Sequence, residues 1–390
     1  MSVTAPHGFR AAGVAAGLKS TGAPDVAVVV NDGPQYAAAG VFTSNRVRAA
    51  PVRWSMPLVN RHPGGGGQLA AVVLNSGGAN ACTGAAGFAD TVATAGAAAT
   101  ALAIAADQVG VCSTGLIGER LPMPALLTGV DAAIATLAGD PAAGSAAAVA
   151  IMTTDTVPKT VVVQGDGFRI GGMAKGAGML APGLATMLVV LTTDASASPD
   201  ELDAALRSAT KVTFDRLDSD GAMSTNDTVL LLASGASGTR PDAPSMITAL
   251  TCACATLAAA LMADAEGATK EISIEVTHAL SEDQAVEVGR AVGRNNLVKT
   301  AFFGEDPNWG RILAAVGTTA ARFDPDLLDV AINGVWVCRG GSTGDSRNDV
   351  DLSGRSVHVV IDLHAGTETA TILTNDLSHA FVHENSAYSS

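Results

Sequence analysis

The sequence predicts a layered α/β fold, with an αββα-type sandwich core followed by a smaller α/β C-terminal domain. Short apolar runs rich in β-branched residues alternate with longer Ala-rich stretches along the chain. The composition, 48% hydrophobic and 15% charged over 390 residues, is sufficient for a large buried core. Strands are predicted at 26–30, 71–75, 187–192 and 228–233. Helices are predicted at 91–107, 124–137, 200–210 and 245–266, where Ala and Leu dominate and Pro, Asp or Ser stands at several starts.

The pattern changes after about residue 268. Segments 271–277 and 357–363 alternate apolar and polar residues, as half-exposed strands do. We therefore expect one domain at 1–267 and a second at 268–390. The Gly-rich stretches 64–67 and 339–348 are predicted to be exposed loops.

Composition also excludes several function classes. A net charge of −14, with scattered Lys and Arg, leaves no basic surface for nucleic acid. The first residues lack the features of a secretory signal, and no stretch resembles a spanning helix, so we expect a cytoplasmic protein without a membrane partner. Five cysteines without zinc or redox spacing are expected to be buried, reduced thiols. The 218–221 loop lacks the later ligands of a calcium loop, so no metal is predicted.

The segment with the clearest chemical content is 171–186, which predicts a Gly-rich loop running directly into a buried strand. Pro182 and Gly183 favour unusual backbone angles just before Thr186. A hydroxyl in that position could attack the carbonyl of Ala185. Taken alone, the pattern fits a plain threonine at a strand entry better than a nucleophile.

Such an attack would convert the Ala185–Thr186 amide into an ester, and hydrolysis would leave Thr186 as a new N-terminus. Its α-amine, with an ordinary pKa of about 7.7–8.0, would be a base suited to neutral pH. The hydroxyl and the amine of one residue could then serve as nucleophile and base in acyl transfer. The products would be an α chain of residues 1–185 and a β chain that starts at residue 186.

Long, compositionally rare strings accompany this segment. The chain closely resembles the ornithine acetyltransferase (glutamate N-acetyltransferase) family over essentially its whole length. The strings that carry the resemblance begin at Met173 (MAKGAGMLAP), Leu184 (LATML), Leu74 (LNSGGANACTG), Cys112 (CSTGLIG), Met152 (MTTD), Asp218 (DSDGAMSTNDT), Asp306 (DPNWGR) and Glu384 (ENSAYSS).

The resemblance implies a role for each of several residues. It places the oxyanion hole at Thr114 and Gly115, where the sequence alone would favour an ordinary turn at a strand end. A positive charge at Lys175 suits a substrate α-carboxylate, and the charge of Glu266 suits the distal ammonium of ornithine; on sequence alone they fit a loop lysine and a surface carboxylate at a helix end. Thr154 is an alternative to Thr153. The substrate contacts that the resemblance implies are Thr153, Lys175, Thr186, Glu266, Asn385 and Ser390.

The activity implied is a ping-pong transfer of acetyl from N-acetylornithine to Thr186 and then to glutamate, in arginine biosynthesis. No cofactor is expected, although part of the family also uses acetyl-CoA as co-substrate. The implied assembly is a heterotetramer of two α and two β chains. Two alternatives stay open: a self-cleaving Thr-nucleophile aminopeptidase or amidase, and an uncut amino-acid-binding protein.

Overall fold

The computed structural model describes residues 2–60, 67–179 and 187–387. Ala185, Thr186 and Ser390, which carry part of the sequence prediction, lie outside these residues. The strands are β1 (Phe9–Val14), β2 (Val26–Asn31), β3 (Ala37–Phe42), β4 (Gly67–Gln68), β5 (Ala71–Asn75), β6 (Val109–Ser113), β7 (Lys159–Gln164), β8 (Arg169–Lys175), β9 (Leu188–Thr193), β10 (Thr228–Ala233), β11 (Glu271–Ala279), β12 (Asp329–Ile332), β13 (Val335–Arg339), β14 (Ser342–Thr343), β15 (Ser356–Asp362) and β16 (Glu368–Asn375). The helices are α1 (Ala50–Val59), α2 (Gly84–Leu102), α3 (Met123–Ala135), α4 (Pro141–Ala150), α5 (Pro199–Lys211), α6 (Ala243–Ala263), α7 (Glu282–Gly293), α8 (Asn296–Phe303), α9 (Trp309–Val316) and α10 (His379–Ala387).

Two facing sheets form the centre of the molecule. The first has the order β1-β2-β5-β6, and the second has the order β4-β3-β10-β9-β8-β7. Side chains from both sheets, including Val29, Leu74, Val190 and Leu230, share one buried apolar cluster. Helices α2 and α3 cover the outer face of the first sheet, and α5 and α6 cover that of the second. The predicted αββα sandwich is confirmed.

The predicted strands are more accurate than the predicted helices. Strands 71–75 and 228–233 coincide with β5 and β10, both continuous runs of buried residues. The helix predicted at 91–107 is wrong at both ends, because α2 begins at Gly84 and stops where Ala103 adopts a left-handed φ of 54°. The helix predicted at 245–266 also ends too late: α6 ends at Ala263, so Glu266 lies beyond it.

The loop predicted from residue 171 is partly wrong, because residues 171–175 belong to strand β8. Glycine is needed there for close packing rather than for a turn: a Cβ on Gly171 would lie 2.2 Å from the carbonyl oxygen of Ser2. Lys175 therefore ends a buried strand and is only 2% exposed. The 339–348 loop is also partly wrong, since it contains β14 and the last residue of β13.

Residues from β11 onward build a third sheet with the order β14-β13-β12-β15-β11-β16. Helix α7 packs on β11 and β16 of this sheet. Together with α8 and α9 they surround a separate apolar cluster that includes Ile274, Val288, Phe302 and Ile361. Helix α10 then returns to the core, where Phe381 approaches Gly267.

Two sequence expectations concern burial. Helix α6 is apolar and long enough to span a membrane by composition, but half of its most apolar window is buried, and it packs on α5, β7 and β8. These contacts are those of a core helix.

The cysteines are free, but Cys82 and Cys252 are exposed, so the expectation that all five are buried is wrong.

Candidate active site

One cleft collects most of the residues predicted from the sequence. Its enclosed volume is about 100 Å³. The predicted residues that line it are Thr114, Gly115, Thr153, Lys175, Glu266 and Asn385. Residues that follow β6 and α6 thus meet the last residue of β8 and a residue of α10, although these segments are distant in sequence.

Thr114 and Gly115 form a rigid turn directly after β6. The Thr114 amide donates to the carbonyl of Asn75 at 3.0 Å, and the Thr114 carbonyl accepts from the Gly78 amide at 2.9 Å. Gly115 has a φ of 129°, and a Cβ there would lie 2.5 Å from the nitrogen of Gly78. Only glycine fits this position without displacing the neighbouring chain.

The buried ammonium of Lys175 contacts this turn. Lys175 Nζ donates to Thr114 Oγ1 at 3.0 Å. Because an ammonium can only donate, the Thr114 oxygen accepts and its own hydroxyl proton stays available for another acceptor. Burial lowers the pKa of Lys175, although the charge of Asp155 acts against this shift.

Asp155 holds two lining segments in place. Its Oδ1 accepts from the Gly176 amide at 2.7 Å and from Lys159 Nζ at 2.5 Å, while Oδ2 accepts from the Thr153 amide at 3.0 Å. Burial acts to raise the pKa of Asp155, but Lys175 and Lys159 outweigh it and keep this pKa below its usual value. Asp155 therefore remains an anion that orders the backbone on both sides of the cleft.

Thr153 and Thr154 both line the cleft. The alternative between these two hydroxyls, which the sequence left open, therefore stays open at this point.

Glu266 is a buried carboxylate of the cleft rather than a surface residue at a helix end. It is 8% exposed, and its amide donates to the carbonyl of Ala177 at 2.9 Å. A Cβ on Gly178 would lie 2.5 Å from Glu266 Oε2, so the absence of a side chain at Gly178 makes room for the carboxylate. The Gly-rich strand end and the acid are thus packed directly together.

The loop before β10 contributes residues whose roles the sequence did not suggest. Asn226 lines the cleft, and its Nδ2 donates to the carbonyls of Ala79 at 2.6 Å and Ser113 at 2.8 Å. These bonds tie the loop to the residue that precedes Thr114. The partners are more than 100 positions apart, so local sequence patterns carry little signal for them.

Asp227 lies beside the predicted cleavage position. Its Oδ1 accepts from the amide of Met187 at 3.2 Å, and Met187 follows Thr186 in the chain. Burial raises the pKa of Asp227 well above its ordinary value, although the Met187 amide acts in the opposite direction. The start of the buried strand is therefore fixed by a fully buried acid.

Helix α10 brings Asn385 to the cleft. Asn385 lines the cleft, and its Nδ2 donates to the carbonyl of Phe381 at 3.0 Å. Asn385 is therefore part of a helix, which spans His379–Ala387.

The fold is a four-layer αββα sandwich. Its polar cleft contains a buried lysine, a buried carboxylate and a threonine hydroxyl. This combination is typical of an enzyme that acts on a small polar molecule. The sequence matches the ArgJ family over residues 10–390, and the chain belongs to this family.

Two relatives of similar length support this assignment. The chain is 64% identical to the arginine biosynthesis bifunctional protein ArgJ of Thermobifida fusca, with 100% of both chains covered. It is 56% identical to the protein of the same name from Mycobacterium tuberculosis, covering 100% of this chain and 96% of that one. A solved structure of M. tuberculosis ornithine acetyltransferase complexed with ornithine is 54% identical, with a TM-score of 0.43, over 48% of this chain and 96% of that chain.

Proposed function

We propose that this protein transfers acetyl from N-acetylornithine to glutamate, with Thr186 as the nucleophile freed by cleavage after Ala185. The observation that carries the proposal is the 3.0 Å hydrogen bond from Lys175 Nζ to Thr114 Oγ1 in a cleft that also contains Glu266. Because the Thr114 oxygen accepts this bond, the Thr114 hydroxyl can donate to an oxyanion. The charges of Lys175 and Glu266 in the same cleft suit an amino-acid substrate. The names of the relatives support a place in arginine biosynthesis.

Acyl transfer would proceed in two half-reactions: acetylation of Thr186 by N-acetylornithine and deacetylation by glutamate. The α-amine of Thr186 takes the hydroxyl proton, and the oxygen attacks the acetyl carbonyl. The Thr114 hydroxyl and the Gly115 amide stabilise the oxyanion. Ornithine leaves with its α-nitrogen protonated, and the acetyl group remains on Thr186 as an ester. Glutamate then attacks that ester through its amine and leaves as N-acetylglutamate.

The charged groups of the cleft suit the two ends of acetylornithine. The Lys175 ammonium would bind the α-carboxylate, and the Glu266 carboxylate would bind the distal ammonium. Thr153 and Asn385 would complete the contacts, together with Ser390. No resident cofactor is needed for this chemistry, and acetyl-CoA is a second acetyl donor to be tested.

The proposal includes cellular and assembly features. We place the enzyme in the cytoplasm as a heterotetramer of two α and two β chains. Cleavage would separate β9 from the segment that precedes it. Because β9 lies between β10 and β8 in the second sheet, the two chains would share one core and stay associated.

An assay with and without glutamate tests the function. We expect sustained ornithine release from acetylornithine only when glutamate is present, with one N-acetylglutamate formed for each ornithine, whereas release without glutamate should stop at one ornithine per protomer. Equal ornithine release without glutamate, accompanied by free acetate, would instead identify a hydrolase. Adding acetyl-CoA and glutamate alone tests the second donor.

The Glu266→Gln variant should weaken the use of acetylornithine by about 10- to 150-fold in kcat/KM, which corresponds to about 1.5–3 kcal/mol. The amide keeps the size of the side chain and removes the charge that pairs with the distal ammonium. Separate rates for acetylation by acetylornithine and for deacetylation by glutamate provide the measurement. Glu275→Gln, on the exposed side of β11, is the matched control. Equal losses in both half-reactions would show that Glu266 supports the cleft without binding the ammonium.

Lys175 predicts a specific pH dependence. Because burial lowers its pKa, the ammonium is lost as pH rises through a value below that of an ordinary lysine, about 10.4. The KM for acetylornithine should therefore rise in alkaline buffer before ordinary lysines titrate. In Lys175→Arg, which stays charged, that rise should disappear even if the starting KM is higher. An identical alkaline rise in both proteins would exclude Lys175 as its source.

A further inference from the structure

Two histidines and an aspartate meet at one end of the third sheet, outside the cleft described above. His278 lies near the end of β11, Asp362 ends β15, and His364 follows two residues later. Strands β11 and β15 are parallel, with Thr277 opposite Asp362, so their ends lie at the same edge. One ligand atom from each of His278, Asp362 and His364 lies within 4.8 Å of the others. These three residues are called the His278 cluster below.

We propose that the His278 cluster binds one divalent transition-metal ion of the Zn²⁺ type. Imidazole nitrogen and carboxylate oxygen are the ligands that such ions take in proteins. Two nitrogens and one oxygen leave at least one position for water. The ion would join β11 to β15 and stabilise this sheet, independently of acetyl transfer.

The distances in the cluster fit a small coordination sphere. His278 Nδ1 lies 2.8 Å from Asp362 Oδ2, and His364 Nδ1 lies 3.6 Å from Asp362 Oδ1. Tetrahedral ligands at Zn–N and Zn–O distances of about 2.0–2.2 Å are about 3.3–3.6 Å apart. Shifts of less than about 1 Å would therefore convert the hydrogen-bonded arrangement into a metal site. The two imidazole rings are already nearly parallel, with an interplanar angle of 18°.

The Asp329 carboxylate orients the His364 ring so that Nδ1 is the nitrogen available for a metal ion. His364 Nε2 lies 3.0 Å from Asp329 Oδ2, and Asp329 is itself held by the Gly340 amide at 2.7 Å. An ionised carboxylate only accepts, so in the neutral ring Nε2 would carry the proton and Nδ1, which faces Asp362, would carry the lone pair for a metal ion. Histidines that bind metals in proteins are almost always oriented in this way.

The backbone of both histidines is strained. His278 has a φ of 51° and His364 a φ of 48°, in the left-handed region where glycine is the least costly residue. Two neighbouring side chains held at such positions point to a function that offsets the strain. Metal ligation is a function that would use the imidazole rings of both histidines at once.

Charge and access also favour a cation. Asp362 and Asp329 carry two negative charges against the single positive charge of Arg339, which lies 3.5 Å from Asp329. The side chains of His278 and His364 are 55% and 41% exposed, so an ion can enter from solvent. Asp362 beneath them is mostly buried and provides a fixed anchor.

Calorimetric titration with ZnCl₂ tests the site, using tag-free protein as purified, stripped with EDTA and with the exposed thiols of Cys82 and Cys252 alkylated. One Zn²⁺ per protomer should bind and raise the Tm. His364→Asn should weaken binding by about 100-fold or more, since Asp329→Asn alone should cost about 10- to 100-fold. Co²⁺ in place of Zn²⁺ should give visible absorption bands that the His364→Asn variant lacks.

Two further variants separate metal binding from folding. His278→Gly should lose Zn²⁺ binding while its metal-free Tm is unchanged or higher, because glycine relieves the left-handed strain. His358→Gln, on β15 of the same sheet, should bind Zn²⁺ as the parent does. Absence of saturable binding by the parent, or equal binding by His278→Gly, would overturn the proposal. Acetyl transfer should be unchanged in His278→Gly, so this test does not depend on the proposed function.

Discussion

Replacement of Thr186 by alanine should leave a single chain of 390 residues that has no acetyltransferase activity. The methyl group can neither attack the Ala185 carbonyl nor carry an acetyl ester, so cleavage and turnover should be lost together. The parent protein should instead give chains of 185 and 205 residues on a denaturing gel. N-terminal sequencing of the longer chain should read Thr-Met-Leu-Val.

Two controls make this result specific. Thr186→Ser keeps a hydroxyl and should retain cleavage and activity, at reduced rates. Thr128→Ala removes an exposed hydroxyl that bonds only within α3, to the Pro124 carbonyl, and should behave as the parent does. Cleavage of Thr186→Ala at the same bond would show that another group makes the cut.

Replacement of Thr114 by alanine should lower kcat by about 10²- to 10³-fold, which corresponds to about 2.7–4 kcal/mol of lost oxyanion stabilisation. The Thr114 oxygen accepts a hydrogen bond from the Lys175 ammonium, so the hydroxyl proton of Thr114 points away from Lys175. The hydroxyl therefore needs little reorganisation to donate to the oxyanion. Because the cleavage intermediate is also tetrahedral, self-cleavage should slow as well. The rate should therefore be measured per cleaved protomer.

Thr114→Ser retains the hydroxyl and should recover most of the lost rate. Thr128→Ala again provides a control for loss of a threonine hydroxyl. A Thr114→Ala enzyme with nearly normal kcat and raised KM would contradict the oxyanion role, because a transition-state interaction should lower kcat.

Local sequence patterns were sufficient for four strands of the two core sheets, namely β2, β5, β9 and β10. β5 and β10 are unbroken runs of buried residues, and the position of Thr114 after β6 follows from the short apolar run before it. Helix ends were less accurate, because alanine is compatible with both the helix and the residues that follow. Ala103, for example, ends α2 in a left-handed conformation that glycine usually adopts.

The sequence did not predict the roles of residues that depend on contacts between distant parts of the chain. Gly171 and Gly172 suggested a loop, whereas close approach of Ser2, Val161 and Leu191 requires glycine in a buried strand. The ordering role of Asp155 depends on partners from two segments that only the fold brings together.

The meeting of the three residues of the His278 cluster could not be predicted from the sequence for the same reason. His278 lies 84 positions before Asp362 and 86 positions before His364. Neither histidine stands in a metal-binding spacing, so only the pairing of β11 with β15 brings the three side chains together.

In the proposed mechanism, Thr186 carries the acetyl group between the two substrates. This role can be tested by intact mass spectrometry of the separated chains after incubation with acetylornithine and without glutamate. One acetyl group should be found on the 205-residue chain, located on its first residue by fragmentation, and addition of glutamate should remove it. An unmodified chain under conditions that support turnover, or an acetyl group on a cysteine, would contradict a covalent threonine intermediate.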